Sequence, residues 1–181
     1  VRWAERLEAP PERGRADWGV ALEANARVME RRVRESVGFI RRLVEEHGDL
    51  PKVVSFSGGK DSLATLLLTR EAGLDLPVLF IDTGLEFPET VEYVHRLKEE
   101  LGLDLVVGKA DEEAFFKNVE FFGPPGKDYR WCCKTNKLGP TVKAIVDHYP
   151  EGVLSFIGQR RYESEQRAAK PRVWRNPWTP G

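Results

Sequence analysis

The chain has 181 residues, 41% hydrophobic and 31% charged, enough apolar side chain for one globular domain with its own core. No apolar run reaches the ~20 residues needed to cross a bilayer, and the opening VRWAERLEAP does not read as a signal peptide, so a cytoplasmic setting is expected rather than a membrane or secreted one. The formal net charge of -1 favours no class of partner, and the two cysteines, Cys132 and Cys133, are neighbours that make poor disulfide partners, which excludes a disulfide-stapled scaffold.

Residues 1–19 carry Pro10, Pro11, Gly14 and Gly19 among charges and are expected to form an extended lead-in. From Val20 to His47, Val28, Val33, Val37, Ile40, Leu43 and Val44 form an apolar stripe between charged pairs; this predicts an amphipathic helix closed by Gly48 and Pro51. The run Val53–Phe56 predicts a buried strand, and Leu63, Leu66 and Leu67 predict a helix to about Ala72. A strand Val78–Ile81, a helix Pro88–Leu101 with proline in its first turn, a strand Leu103–Val107 and a helix Glu112–Asn118 are expected next. A loop through Gly123–Gly126, a helix from Lys137 to Tyr149 and a strand Val153–Ile157 complete the pattern. Apolar strands alternating with helices predict an α/β fold: a three-layer α/β/α, Rossmann-like arrangement around a mostly parallel twisted sheet, with ligands beyond the C-terminal strand ends. The tail from Arg160 to Gly181 is basic, rich in Trp and Pro, and reads as the middle of a loop, as if the natural protein were longer.

Four segments at expected strand ends carry chemistry. The first is VVSFSGGKDS, Val53 to Ser62, a strand followed by a glycine-rich turn that opens a helix. A helix N-terminus presents unpaired N–H groups and partial positive charge to an anion. Gly58 and Gly59 let the backbone approach an oxyanion, Ser57 and Ser62 add hydroxyls, and Lys60 adds a cation. A Walker loop would need glycine where Val54 stands and Ser or Thr in place of Asp61, and no GxGxxG is present. In the second segment, Asp82 and Thr83 emerge past a strand, placed to meet a ribose, a base or a magnesium ion. The third, Tyr129 to Lys137, sets Cys132 and Cys133 beside Arg130, Lys134 and Lys137, cations that favour thiolates and suit metal ligation or redox work. The fourth places Gly158, Arg160, Arg161 and Arg167 after the last strand, and arginine forks suit sulfate and phosphate oxygens. From Lys127 to Arg175, eleven Lys or Arg face five acids, a local balance of +6 suited to an anionic ligand or nucleic acid.

The SGGKDS loop resembles that of the adenine-nucleotide α-hydrolase superfamily, the PP-loop proteins. IDTG followed by FPET, the Cys-Cys-Lys segment and the Gly-Gln-Arg-Arg segment are similar, in the same order, to those of the sulfonucleotide (PAPS) reductases, over about Val53 to Ala168. Together with the residue chemistry, the resemblance implies a PP-loop nucleotide-binding domain over 49–181, preceded by the lead-in and helix of 1–48. Its expected nucleotide-binding residues are Ser55, Ser57, Gly58, Gly59, Lys60, Asp61, Ser62, Asp82, Thr83, Gly158, Arg160, Arg161 and Arg167, with Lys134 and Lys137 as further anion contacts. The ligand expected is adenylyl sulfate or its 3′-phosphorylated form, bound for reduction to sulfite, with thioredoxin as a candidate reductant.

In the iron–sulfur members of that family the paired cysteines ligate a 4Fe–4S cluster with a later Cys-x-x-Cys, which this chain lacks. Cys132 and Cys133 are thus expected either as partial ligands whose companions lie in a longer protein, or as a pair in a version that never bound a cluster. The family's nucleophilic Glu-Cys-Gly segment is also absent, so nucleotide binding without reduction is expected of this chain. Two alternatives stand beside this reading. One is an ATP pyrophosphatase that adenylates a substrate, using Lys60 and magnesium near Asp61, with RNA approaching Trp131, Trp174 and Trp178. The other is a non-catalytic nucleotide-binding module.

Overall fold

The four apolar runs pair side by side. In the computed structural model, which describes residues 18–179, β1 (Lys52–Phe56), β2 (Val78–Asp82), β3 (Leu105–Lys109) and β4 (Leu154–Ile157) form one sheet in the order β3-β2-β1-β4. Every neighbouring pair is parallel, with Val54 opposite both Val78 on β2 and Phe156 on β4. Parallel strands need a crossover between them. Helices α2 (Lys60–Glu71) and α3 (Pro88–Leu101) supply two, while α4 (Glu112–Phe122), a π-helical segment (Cys133–Leu138) and α5 (Gly139–His148) lie between β3 and β4.

Alternation along the strands divides the core into two layers. On one face Val54, Phe56, Val78 and Phe80 pack with Leu66 of α2 and with Val94 and Leu97 of α3. On the other, Leu79 packs with Ala144 and Ile145 of α5, with Ile81 and Val106 joining them. The predicted three-layer α/β/α arrangement is therefore present. Gly108 of β3 makes the second contact close: a Cβ there would lie 2.7 Å from Ile81 Cδ1 and 3.0 Å from the Pro140 carbonyl.

The lead-in expected over 1–19 lies outside the described residues as far as residue 17; α1 (Trp18–Glu46) opens at residue 18. The chain divides into two compact units at Ser36 and Val37. Residues 19–36 of the helix are largely exposed, with Arg31 and Arg32 both near Glu35. In the second unit Ile40 and Leu43 pack with Ala72 and Phe156. Among the described residues no helix is long and apolar enough to cross a membrane.

Several expected boundaries move by a residue or more, three of them for a reason visible in the backbone. The strand expected from Leu103 begins at Leu105, because the Leu103 N–H closes α3 onto the Lys98 carbonyl through Gly102 in the left-handed region (φ 62). Helix α4 runs past Asn118 to Phe122, and the Gly123 N–H then bonds the Val119 carbonyl. The helix expected from Lys137 is preceded by π-helical turns that start at Cys133. After β4 the tail forms a 3₁₀ turn, Arg161–Glu163, and α6 (Glu165–Ala168), capped by the Ser164 hydroxyl accepting from the Arg167 N–H.

Candidate nucleotide site

The sheet order reverses direction between β1 and β4, and the segments leaving these two strands carry the first and fourth of the sequence motifs. Such a switch point opens a crevice at the C-terminal strand ends. From β1 the chain turns through Ser57, Gly58 and Gly59 into α2. Gly58 has φ 73, and a Cβ on it would lie 2.9 Å from Thr90 Cγ2 on α3, so both conformation and space call for glycine. Ser62 is buried and shapes the turn: its Oγ accepts from the Ser57 N–H at 3.2 Å and donates to the Gly59 carbonyl at 2.8 Å. No side chain caps α2 at Gly59, so the first-turn N–H groups keep the electropositive character of an open helix end. Lys60 extends into solvent, its Nζ 3.5 Å from Asp61 Oδ2. Ser55 sits inside the sheet, its hydroxyl sharing a 2.8 Å hydrogen bond with that of Ser155.

Gly158 brings the exit of β4 onto the first turn of α2. A Cβ at this position would fall 2.3 Å from the Asp61 carbonyl oxygen and 2.7 Å from Thr65 Oγ1. Two residues on, Arg160 Nε is buried 3.0 Å from Asp61 Oδ2, an ion-pair approach without the alignment of a hydrogen bond. The same guanidinium donates to Glu163 Oε1 and to the Tyr162 hydroxyl, and Glu163 also pairs with Arg167. Lys60, Asp61, Arg160, Glu163 and Arg167 thus form a chain of alternating charge across the switch point. Arg160 and Arg167 are engaged by carboxylates, whereas exposed Arg161 has no ion-pair partner among the described residues.

At the end of β2, Asp82 Oδ1 accepts from the Gly84 N–H at 3.0 Å, and the Thr83 hydroxyl donates to Glu86 Oε1 at 3.0 Å. These local bonds shape the loop that leaves β2. One residue that the sequence reading passed over touches it: buried Asn136 donates through Nδ2 to the Thr83 carbonyl at 3.1 Å. Asn136 lies in the π-helical segment with Cys133, Lys134 and Lys137, all three exposed. Trp131 anchors the start of that segment, buried between Phe115 and Phe122, with its indole N–H on the Gly123 carbonyl.

Cys132 is half-buried, Cys133 exposed, and both are free thiols. Two adjacent thiols supply at most two of the four ligands of a cubane cluster. Among the described residues no group of three or more His, Cys, Asp or Glu converges to hold a metal ion. The described residues do not by themselves build a cluster site.

The fold and site define a doubly wound α/β domain whose glycine-rich turn opens at the reversal of strand order. Residues 51–181 match the phosphoadenosine phosphosulfate reductase domain family, and the chain belongs to that family. It is 44% identical over 158 residues to an uncharacterized protein of Methanocaldococcus jannaschii, covering 87% of this chain and 32% of that protein. It is 33% identical over 157 residues to an adenosine 5'-phosphosulfate reductase of Chelativorans sp., covering 83% of this chain and 60% of the relative. A phosphoadenosine 5'-phosphosulfate reductase of Vibrio atlanticus is 31% identical over 121 residues, covering 66% of this chain and 46% of the relative. The matched part of the chain therefore spans from about a third to three fifths of the length of these relatives.

Proposed function

We propose that this chain is the adenine-nucleotide-binding part of a reductase-type protein and holds adenylyl sulfate or its 3′-phosphorylated form at the β1–β4 switch point. The observation that carries the reading is the uncapped N-terminus of α2 behind Gly58 and Gly59, in a chain of this family. The first-turn N–H groups and Lys60 receive the anhydride oxyanions, where a preorganised dipole and a mobile cation cost little rearrangement. Asp82 and Thr83 take the nucleoside side. Arg160 fixes the wall of the crevice by holding Asp61, and Arg161 is the arginine left with its charge uncompensated. Lys134 and Lys137 add positive charge from the π-helical segment.

Binding and orientation are the functions assigned to this chain, and no reducing step is assigned to Cys132 or Cys133. Magnesium-ATP is the competing ligand. Asp61, the carboxylate nearest the turn, is engaged by both Lys60 and Arg160, which disfavours a metal cation at that oxygen. Calorimetric titration with adenylyl sulfate, its 3′-phosphorylated form and ATP, with and without magnesium, tests the reading. Micromolar binding of a sulfonucleotide, independent of magnesium, is expected. A folded sample that binds none of the three, or prefers magnesium-ATP, overturns it.

A further inference from the structure

We propose that Asn136 is a positioning residue through which occupancy of the Asp82–Thr83 loop changes the reactivity of the Cys132–Cys133 pair. The inference rests on the nucleotide reading above. Buried polar side chains are few among the described residues: Ser62, Thr69 and Asn136. Ser62 shapes the turn after β1, and Thr69 bonds the Leu66 carbonyl within its own helix. Asn136 instead reaches across 53 positions to the Thr83 carbonyl, while its Oδ1 accepts from the Thr135 hydroxyl at 2.7 Å. Among the described residues this is the one side-chain hydrogen bond joining the π-helical segment to the loop after β2.

The backbone of the segment explains how Asn136 comes to face inward. The Gly139 N–H bonds the Lys134 carbonyl, five residues back, in place of the four of an α-helix. With 3.6 residues per turn, positions 131 and 136 would lie on different faces. The wider turns place Trp131 and Asn136 both inside, at 7% and 3% exposure, while Cys133, Lys134 and Lys137 stay outside. Asn136 is thus fixed on the segment that carries the thiols, and its partner carbonyl lies in the loop assigned to the nucleoside. The Thr83 carbonyl is flanked by two further constraints of that loop, the Asp82–Gly84 and Thr83–Glu86 bonds. A ligand that reorders the loop must either carry Asn136 with it or break a buried hydrogen bond, and a buried amide left unpaired is costly.

The test is the rate at which the two thiols react with a chromogenic aromatic disulfide, with and without adenylyl sulfate, calorimetry on the same samples reporting whether the ligand is bound. Bound ligand should change the thiol rate of the native chain at least about fivefold, the lower end of ordinary site-to-site coupling. In Asn136→Ala the rate should no longer respond, although adenylyl sulfate still binds. Asn136→Asp keeps the shape and the acceptor for Thr135 but loses the donor to Thr83, and should behave like the alanine variant. A variant that binds ligand and keeps the native response overturns the proposal. Amide hydrogen exchange on the native chain needs no variant: bound ligand should slow exchange at 133–139 as well as at 83–85, and slowing at 83–85 alone overturns the coupling. If calorimetry detects no ligand binding, the nucleotide reading fails and the coupling fails with it; bound ligand with an unchanged native thiol rate sinks the coupling alone.

Discussion

Gly158 shows how one hydrogen atom in place of a methyl group fixes the crevice. Its missing Cβ leaves room for the Asp61 carbonyl, which would otherwise lie 2.3 Å away, so α2 can start directly beside the end of β4. Gly158→Ala should cost about 1–3 kcal/mol through overpacking, read as a lower melting temperature, and should weaken nucleotide binding because the α2 N-terminus is pushed out of line. Gly126→Ala, where a Cβ meets nothing within 4 Å, is the control and should melt like the native chain. Lys60 separates affinity from stability. Its side chain is exposed and among the described residues pairs only with Asp61, so Lys60→Ala should leave the melting temperature within the scatter of surface substitutions. Its loss should still weaken nucleotide binding by roughly tenfold or more, the worth of a hydrogen bond to a charged group. Equal affinity for native and Lys60→Ala protein would remove the lysine from the site.

At the scale of elements, what was legible in the sequence is what short-range chemistry dictates. Pro88 in a first turn and Gly102 after Leu101 bracket α3 at the expected residues, and the β-branched and aromatic runs at Val53 and Val78 become central strands. The glycine-rich turn was legible because Gly58 and Gly59 have no purpose in a bland loop. The π-helical segment was not, since no residue in Cys133–Leu138 marks i→i+5 bonding, and Gly139-Pro140 fits the first turn of an ordinary helix starting at Lys137. Asn136 was missed for the same reason: at α-helical spacing an asparagine beside Lys137 belongs on the surface. The pairing of Arg160 with Asp61 was equally hidden, because it joins residues that only the strand order brings together.

Trp131→Ala removes the ring held by Phe115 and Phe122 and the bond to Gly123, and should destabilise the protein by about 3–5 kcal/mol with loss of near-ultraviolet dichroism. Tyr149 closes α5; burial, and secondarily the charge of Asp104, raise its phenol above the usual value. The neutral form is thus favoured in the folded state, so its contribution is complete below the unfolded pKa near 10 and is lost as pH rises through the raised one. Melting temperature should fall in that alkaline range, and less steeply in Tyr149→Phe.

Over the whole molecule charge is unevenly placed despite a formal balance of -1. The alternating chain from Lys60 to Arg167 neutralises most of itself, leaving Arg161, Lys134 and Lys137 as exposed cations. Attraction exerted by solvated charges is screened within about 8 Å at physiological ionic strength. Sulfonucleotide affinity should therefore fall as salt is raised, and a salt-independent affinity would place the ligand among buried donors instead.

In the proposed complex the anhydride sits on the first turn of α2 at the reversal of the sheet. Backbone amide resonances followed during titration with adenylyl sulfate test it most directly. The largest shifts are expected at residues 58–62, with a second group at Thr83 and Gly84. Saturable binding that leaves residues 58–62 unmoved and shifts only the basic segment after β4 would contradict it.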